Sequence, residues 1–492
     1  MVNGDREPDV RVPTLADALI PLVTLALLIA GALALFGLDA LDGPIQVALV
    51  MCCAVAALIA MKNGHQFAEV QEAGKAALAS VTSAIFILFA VGALIGVWNL
   101  SGTIPTLVYY GIQVLSAGWY YAATAIICGV VALSIGSSWT TAATIGVGLV
   151  GIAELIGVSP AMTAGAVISG AYLGDKTSPL SETTILTAQM VKVDVYEHIK
   201  RQVWTSVPAF LIAVVVFLVL GVTGPDTVTD AETTSDLDKL DEIFNITPLA
   251  LLPIVLLAIL SIRKVPASLA LLAATLFAGL LGAFLQPDVY QEFIGGAGNF
   301  VVESLKAVWL AMANGFSISS GIPDVDRLLS RGGMDSMLLT IWLIIGAVTF
   351  GAMLEEFGLI ARLVNPMIAS AKSIGRLYVT VFACGFGLNV VAGDQYIALV
   401  LPSRIFRAEF ARRGLAPTNL SRLAADSGTV TSPLVPWNSC GAFMGATLGV
   451  STLLYLPYAV FCYASPALSV LYGVTGFKIE RVEPTELEED RA

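Results

Sequence analysis

Continuous apolar runs of about twenty residues constrain the fold of this chain more than any other feature. A run of that length crosses the roughly 30 Å of hydrocarbon in a bilayer as an α-helix. Because the runs are continuous and do not alternate with polar residues, they predict an all-α polytopic membrane protein and exclude a β-barrel. They lie near 17–37, 43–61, 78–98, 203–223, 247–262, 265–286, 338–357 and 452–475.

Composition supports the same class. Of the 492 residues, 57% are hydrophobic and only 13% are charged, which is too apolar for a soluble protein of this size. The first apolar run follows a charged stretch and has no small-residue cleavage site after it, so no removable signal peptide is expected. The net charge of −12 comes partly from an acidic loop at 226–242 and a tail at 483–490. These segments are either a solvated acidic surface or a cation-collecting vestibule.

The cysteines are expected to be packing residues. All six lie in apolar segments and lack the spacing of metal ligands: Cys52, Cys53, Cys128, Cys384, Cys440 and Cys462. The two histidines, His65 and His198, are predicted to lie in cytoplasmic loops as ordinary surface residues, so no transition-metal site is expected.

Clusters of Lys and Arg between the apolar runs indicate the cytoplasmic loops. Placing every cluster inside gives about ten crossings with both termini in the cytoplasm. Two stretches do not fit as simple crossings, and we interpret them as opposing re-entrant hairpins. The first covers 119–156 with a polar tip at 136–140, and the second covers 377–403 with its tip at 385–389.

The chain contains an internal repeat. The tetrapeptide at Thr177–Leu180 returns at Thr431–Leu434, and similar segments around it recur at an offset of about 256. Equivalent loops carry opposite charge, which predicts that the two repeats are inverted in the membrane and function by alternating access. The predicted organisation is 1–77 for the tail and first two helices, 78–190 for repeat one, 191–334 for connecting helices with the acidic outer loop, 335–445 for repeat two, and 446–492 for the last helix and cytoplasmic tail.

Each tetrapeptide predicts a broken helix, because proline removes a helical donor and frees backbone carbonyls. Free carbonyls, hydroxyls, an amide and carboxylates are ligands for a hard cation such as Na⁺. Carboxylates at membrane depth are costly and usually functional, and burial favours their protonated form. The predicted ion- and proton-binding residues are Asp175, Ser178, Ser181, Glu182, Thr183, Asp426, Ser427, Thr429, Thr431, Ser432 and Asn438, with Na⁺ itself at Asp175, Asp426, Ser178 and Ser432. Na⁺ enters as the transported ion, and no cofactor is expected.

The hairpin tips contribute further candidates, namely Ser137, Ser138, Thr140, Asn389 and Asp394. Hydroxyls also bond back to helix carbonyls in membranes, and Asp394 also suits a cap of the following helix. Trp139 and Trp437 are expected to close a cavity by packing. Lys176 has two interpretations: it neutralises Asp175, or it attracts a substrate carboxylate. A structural salt bridge of Asp175 or Asp426 with Lys176 or Arg422 is the competing interpretation of these acids.

Four motifs of this chain resemble the NhaC-type sodium/proton antiporter family: Gly136–Thr141, Gly174–Thr184, Gly393–Tyr396 and Asp426–Asn438. The resemblance covers about residues 15–475 and implies the ion transporter superfamily fold, with inverted repeats that each contain a hairpin and a broken helix. The chain differs from the family's pattern at Glu182, where Asp is common, and at Thr140, where Gly is usual. The resemblance implies sodium/proton exchange, and relatives include exchangers of malate against lactate.

The sequence therefore predicts a secondary active transporter of the cell inner membrane that exchanges Na⁺ for H⁺. The alternative is a Na⁺- or H⁺-coupled exchanger of small organic anions or amino acids. A channel or sensor is disfavoured by the hairpins, and an enzyme by the lack of a nucleophile with a His base at membrane depth. The expected partners are the lipid bilayer, Na⁺ and H⁺, without nucleic acid; an organic anion and a homodimer are left open.

Overall fold

The computed structural model describes residues 10–224, 230–296 and 298–482. These residues form helices and no β-strand, with isolated bridges at Phe316–Arg331 and Leu415–Arg481. The helices are α1 Leu15–Phe36, α2 Pro44–Lys62, α3 Phe67–Leu100, α4 Thr103–Val114, α5 Tyr120–Ile135, α6 Ser138–Thr141, α7 Val147–Leu155, α8 Pro160–Thr177, α9 Glu182–Val191, α10 Val195–Thr223, α11 Asp230–Ile243, α12 Leu252–Ile262, α13 Ala267–Leu285, α14 Pro287–Ile294, α15 Phe300–Asn314, α16 Pro323–Leu329, α17 Leu338–Glu356, α18 Leu359–Ser370, α19 Ile374–Ala392, α20 Gln395–Arg412, α21 Pro417–Ala424, α22 Ser439–Leu448, α23 Thr452–Tyr455 and α24 Val460–Thr475.

Within these ranges, nine helical segments are long and apolar enough to cross a membrane. Two further helix pairs pass the same test together but are sharply bent, one by 89° at 244–247 and one by 94° at 449–451. The chain is therefore a multi-pass membrane protein, as the apolar runs predict. The nine segments are Leu15–Leu41, Pro44–Lys62, Phe67–Leu100, Ala117–Ile135, Ser138–Leu155, Val195–Thr223, Ala267–Leu285, Asp335–Glu356 and Ile374–Ala392.

Two segments differ from their predicted form. The run at 452–475 is not one span, because the helix stops at Ala459, whose ψ of 60° is not helical, and α24 starts after it. The acidic segment at 226–242 is not simply a loop: α11 occupies its greater part, since Ala, Glu, Leu and Lys favour a helix. Asp226 lies outside the described residues, as does the acidic tail at 483–490.

The order of elements repeats. A long helix, a short helix, a hairpin and a broken helix follow one another as α3 to α9 and again as α17 to α22. Left-handed backbone recurs at matching joints, each 256 or 257 positions apart: Gly102 with Gly358, Gly136 with Gly393, Gly157 with Gly414, and Lys192 with Gly449. The two halves therefore have the same succession of turns. The inversion of one half against the other stays a prediction.

Polar caps recur at the restarts of the helices. Ser137 matches Asp394 at the hairpins, and Ser181 matches Asn438 at the broken helices, each pair 257 positions apart. In all four, a side-chain oxygen accepts a backbone N–H of the helix that follows. A helix that restarts among buried residues exposes free N–H groups, and these caps satisfy part of them without water.

The tip of the second hairpin lies later than predicted. The segment 385–389 is inside α19, and the chain turns at Gly393, where φ is 63°, with Asp394 capping α20. Gly385 serves close packing instead of a turn, because a Cβ there would lie 2.5 Å from Ser427 Oγ. The predicted tip was wrong because glycine in a membrane helix also marks close helix contacts.

Close packing of α5 on α8 positions the first break beside the first hairpin tip. A Cβ on Gly170 would lie 2.3 Å from the Ala125 carbonyl oxygen, and one on Gly174 would lie 2.3 Å from the Ala132 carbonyl carbon. Only glycine allows the two backbones to approach so closely. The last turn of α8, which carries Asp175, is thereby held against the residues that follow α5.

Candidate functional site

Asp175 lies in the last turn of α8, and its carboxylate is held by the first hairpin tip. The residue is 8% exposed. The Ser138 backbone N–H donates to Oδ1 at 3.0 Å, and the Ser138 hydroxyl donates to Oδ2 at 2.5 Å. No Lys or Arg of the described residues pairs with this carboxylate, so its negative charge is balanced only by hydrogen bonds.

The backbone carbonyl of Asp175 is a second oxygen at the same point. Its regular helical donor would be the N–H of residue 179, but Pro179 has none. Three hydroxyls donate to the carbonyl instead: Ser181 at 2.8 Å, Thr183 at 2.9 Å and Thr184 at 2.8 Å. The break therefore collects one carboxylate, one carbonyl and four hydroxyls in a buried region, a donor set that suits a hard cation.

Lys176, although adjacent to Asp175, points to the other side of α8. It forms an ion pair with Asp426, and both side chains are fully buried. Its ammonium also donates to the Thr205 hydroxyl at 2.8 Å and to the Ser465 hydroxyl at 2.6 Å. Lys176 thus neutralises Asp426 of the other repeat and not Asp175.

The carboxylate of Asp426 is fully occupied. It belongs to a π-helical segment at Ala425–Thr429 that continues α21. Besides the Lys176 ion pair, Oδ1 accepts from Ser465 at 2.6 Å and Oδ2 from Thr205 at 3.2 Å. The sequence reasoning missed Thr205 and Ser465, because a single hydroxyl in an apolar helix carries no signal of a site.

The predicted Na⁺ set is not assembled around both carboxylates. Ser178 donates to the Leu133 carbonyl at 2.8 Å, and Lys176 stands where a cation would neutralise Asp426. Ser427 and Thr431 bond back to helix carbonyls at 2.8 and 2.5 Å, as such hydroxyls do in membranes. Among the described residues, no group of three or more His, Cys, Asp or Glu forms a metal cluster.

Ser432 belongs to a small polar group between the two breaks. Its hydroxyl lies 2.8 Å from Gln395 Oε1 and 3.5 Å from the Tyr172 hydroxyl. The Cys440 thiol donates to the same Gln395 oxygen at 2.9 Å. The prediction of a plain packing role was therefore wrong for Cys440. Gln395 could have been found from its place beside Asp394, at a helix start.

Asn389 belongs to the second break and not to a hairpin tip. From α19 its amide donates to the Gly428 carbonyl at 2.7 Å and to Thr431 Oγ1 at 2.9 Å. Asn438 in turn donates to Asn389 Oδ1 at 3.0 Å. The two amides therefore brace the irregular backbone, while the buried Thr429 hydroxyl has no partner among the described residues.

The remaining predicted residues lie at the edges of this region. Glu182 is exposed and accepts from the Tyr396 hydroxyl of the second hairpin at 3.1 Å. Thr140 Oγ1 lies 3.1 Å from the capping Ser137 hydroxyl. The exposure of Glu182 and its contact with Tyr396 place it at the open mouth of the break.

Both tryptophans pack, as the sequence predicts. Trp139 stacks on Phe443 with ring centroids 3.9 Å apart, so the first hairpin tip rests on a helix of the second repeat. Trp437 donates its indole N–H to the Val390 carbonyl at 2.6 Å.

His198 is not the surface residue that the sequence suggests. Asp194 caps α10, so His198 lies in the first turns of a helix and is fully buried. Its Nε2 lies 3.3 Å from the Gln202 amide nitrogen. The prediction failed because the neighbouring Lys and Arg marked a loop, although only one face of this helix is exposed.

Broken helices that bring polar backbone and carboxylates together inside a multi-pass helical protein define a secondary transporter. The model of the Na⁺/H⁺ antiporter family matches residues 15–200 and 170–477. The chain belongs to this family.

Three curated relatives cover nearly the whole chain. The Na⁺/H⁺ antiporter NhaC of Alkalihalophilus pseudofirmus is 37% identical over 88% of this chain and 91% of its own length. The malate-2H⁺/Na⁺-lactate antiporter of Bacillus subtilis is 33% identical over 95% of this chain and 96% of its length. The arginine/ornithine antiporter ArcD of Halobacterium salinarum is 32% identical over 99% and 97%.

Proposed function

We propose that this protein exchanges Na⁺ for H⁺ across the cell membrane by alternating access. Membership of the Na⁺/H⁺ antiporter family and the 37% identity to an antiporter named NhaC support this function. One structural observation carries the proposal at the level of residues. It is the buried Asp175 carboxylate, which meets a hairpin tip at a helix break and has no cationic partner among the residues that the structure describes.

Exchange follows from the chemistry of that carboxylate. Na⁺ and H⁺ each neutralise it, and both compete for the same oxygens. Moving the empty, charged group through an apolar barrier is costly, so the site crosses only when it is loaded. A transporter that reorients with Na⁺ bound in one direction and H⁺ bound in the other is an obligatory exchanger.

The hydroxyls at the break supply the other oxygens for Na⁺. Ser181, Thr183 and Thr184 now donate to one carbonyl, and rotation of these hydroxyls turns their lone pairs outward. An ion at this point would contact neutral oxygens and the Asp175 carboxylate. In this proposal Asp426 does not exchange Na⁺ while Lys176 neutralises it.

The orientation of the chain in the membrane is inferred from the distribution of its Lys and Arg residues. In this proposal the helix ends that are rich in Lys and Arg, including the start of α10 at Lys200 and the end of α20 at Arg412, lie in the cytoplasm, as do both termini. That orientation turns the two repeats upside down relative to one another. Each repeat then contributes one hairpin and one broken helix, and exchange of their conformations moves the site from one aqueous phase to the other.

Proton flux in proteoliposomes tests the function. We expect a Na⁺ gradient to drive proton movement in the wild-type protein, and Asp175→Asn to abolish it because the amide cannot hold a proton or balance Na⁺. Asp288→Asn, which changes an exposed carboxylate at the start of α14, is the matched control and keeps full flux. Sodium-independent proton flux, or full exchange in Asp175→Asn, would contradict the proposal.

A second candidate function is coupling of Na⁺ or H⁺ to a small organic anion or amino acid. Two relatives support this candidate by their names. One is named as a malate/lactate antiporter and the other as an arginine/ornithine antiporter. Uptake of labelled malate, lactate and arginine into the same proteoliposomes separates the candidates. Lys176 is a poor carboxylate-binding residue for such a substrate, because its donors are already used by Asp426, Thr205 and Ser465.

A further inference from the structure

One helical turn from the Lys176–Asp426 pair lies a second buried cation, Arg422. It is 1% exposed, and with Lys176 it makes up the buried Lys and Arg of the part of the chain that the structure describes. Asp426 lies four residues further along from Arg422, but its oxygens are occupied by Lys176, Ser465 and Thr205. Asp426 therefore pairs with Lys176, and the neighbouring Arg422 is not paired with this carboxylate.

The guanidinium of Arg422 is only partly satisfied. Nη1 donates to the Lys478 carbonyl at 3.3 Å, while Nε and Nη2 have no hydrogen-bond partner among the described residues. Nε and Nη2 form one edge of the planar group, and that edge matches the two oxygens of a carboxylate. Arg cannot lose its proton to relieve the cost of burial.

Further polar atoms without a hydrogen-bond partner among the described residues lie on three helices that pack against α21. On α10, Gln202 contacts the Ser421 carbonyl at 3.4 Å, and its Oε1 is free of hydrogen bonds, as is Nδ1 of the neighbouring His198. On α19, the Tyr378 hydroxyl lies beside the Arg422 guanidinium, without a hydrogen bond of regular geometry to any described residue.

The fourth helix is α24. Ser469 lies between Ser465, which contacts Asp426, and Tyr472, whose ring lies over the Arg422 guanidinium. The Ser469 hydroxyl is buried without a partner. The Tyr472 ring lies 5.7 Å from the guanidinium carbon. We name Arg422, His198, Gln202, Tyr378 and Ser469 the Arg422 cluster.

We propose that the Arg422 cluster is a binding site for a small anion, and that its preferred ligand is a carboxylate. Because Asp426 is already paired with Lys176, the charge of Arg422 has no carboxylate partner among the described residues, and an anion would balance it. The free edge of Arg422 gives two parallel donors, and the hydroxyls of Tyr378 and Ser469 give two more. Buried polar groups rarely stay unpaired, so six such atoms on four packed helices indicate a bound ligand.

This site is separate from the proposed Na⁺ and H⁺ site at Asp175. It binds an anion whether or not the protein exchanges Na⁺ for H⁺. If an organic acid is carried, the residue that recognises its carboxylate is Arg422 and not Lys176.

Anion-dependent thermal stabilisation of the purified full chain tests the site. Sodium methanesulfonate is replaced by sodium chloride, lactate or malate at constant Na⁺ concentration and pH, so any effect of Na⁺ on Asp175 is held fixed. The wild-type protein should show a saturable rise of Tm. Saturation by lactate or malate identifies an organic carboxylate, and saturation by chloride alone identifies an inorganic anion; either supports the site.

Two variants decide where the anion binds. Arg422→Gln should abolish the response, whereas Arg263→Gln, which removes an exposed arginine between α12 and α13, should keep it. Tyr378→Phe removes a hydroxyl that lies beside the guanidinium and should raise the half-saturating anion concentration by about tenfold. A wild-type protein without a saturable response, or an unchanged half-saturation in Tyr378→Phe, would overturn the proposal even where Arg422→Gln does not fold.

Discussion

The two helix breaks carry the same tetrapeptide but hold their carboxylates in opposite electrostatic states. Asp175 accepts from Ser138 of its own repeat and has no cationic partner in the described part of the chain. Asp426 forms a closed ion pair with Lys176 of the other repeat, and two hydroxyls complete its shell. One break therefore offers a charge that a mobile cation can neutralise, and the other contains its own cation.

The difference comes from the position of each acid relative to the repeated motif. Asp175 precedes its tetrapeptide by two residues and lies at the end of α8, beside the hairpin. Asp426 precedes its copy by five residues and lies in the π-helical segment after α21. Matching motifs thus give matching backbone breaks, while the chemistry at each break depends on residues outside the motif.

Removing Asp426 should have the largest effect on stability. Asp426→Leu leaves Lys176 buried without its counter-charge and should lower the free energy of unfolding by about 3–5 kcal/mol. Adding Lys176→Met should restore most of the loss, since apolar residues of similar volume replace a buried pair at little cost. Denaturation of the detergent-purified variants measures both values.

Asp175→Asn is the contrasting variant in that series. No cation loses a partner there, and the amide oxygen still accepts from Ser138, so stability should stay close to that of the wild type. Equal destabilisation by Asp175→Asn and Asp426→Leu would show that the two breaks do not differ in charge pairing.

Gly174→Ala should weaken the first break through packing alone. The added methyl group meets the backbone of Ala132 on α5, where no flexible side chain can move away. We expect a loss of about 1–3 kcal/mol together with reduced exchange, because Asp175 and Ser138 move apart. Gly387→Ala is the matched control on α19: its Cβ meets nothing within 4 Å, so a similar loss there would assign the effect to helix glycines in general.

Ser138→Ala should weaken Na⁺ binding at the first break. The hydroxyl donates to the ionised carboxylate that Na⁺ requires, so we expect the KM for Na⁺ in exchange to rise roughly tenfold. Ser134→Ala is the control, because that hydroxyl bonds back to the Val130 carbonyl at 2.8 Å on the exposed side of α5. If both variants behave alike, the Ser138 contact does not contribute to ion binding.

Tyr396→Phe should have the smallest effect. It removes the bond to the exposed Glu182 that links the second hairpin to the first broken helix. Because water replaces that partner, we expect a change of about 1 kcal/mol or less in stability and less than about tenfold in exchange rate. A larger loss of exchange would mean that the two repeats depend on this contact at the mouth of the break.

Much of the helical architecture could be predicted from the sequence because membrane length and polarity leave strong local signals. The breaks at Pro179 and Pro433 and the first hairpin tip at Gly136 lie where prolines and cap residues indicate. Gly385 misled the second hairpin prediction, since a glycine gives the same signal for a turn and for a close helix contact. The Gly393-Asp394 pair, a left-handed residue followed by a cap, was the better indicator.

The site was harder to predict, because side-chain direction around a helix decides its contacts. Asp175 and Lys176 are neighbours in the chain, yet they face Ser138 and Asp426 respectively. Nothing in the sequence associates Thr205 or Ser465 with Asp426, since these hydroxyls are isolated in apolar helices. Cys440 likewise gave no sign that its thiol would meet Gln395.

The sequence by itself determined that this chain is a helical membrane protein with two repeats, two broken helices and a set of polar side chains at membrane depth. Apolar length, proline and cap residues act locally, so they can be read without knowing what packs against what. The tertiary structure decided which carboxylate has a cation and which does not, and it left Arg422 buried with a free edge. Those outcomes depend on contacts between helices that are distant in the chain, and burial makes each unpaired charge there energetically decisive.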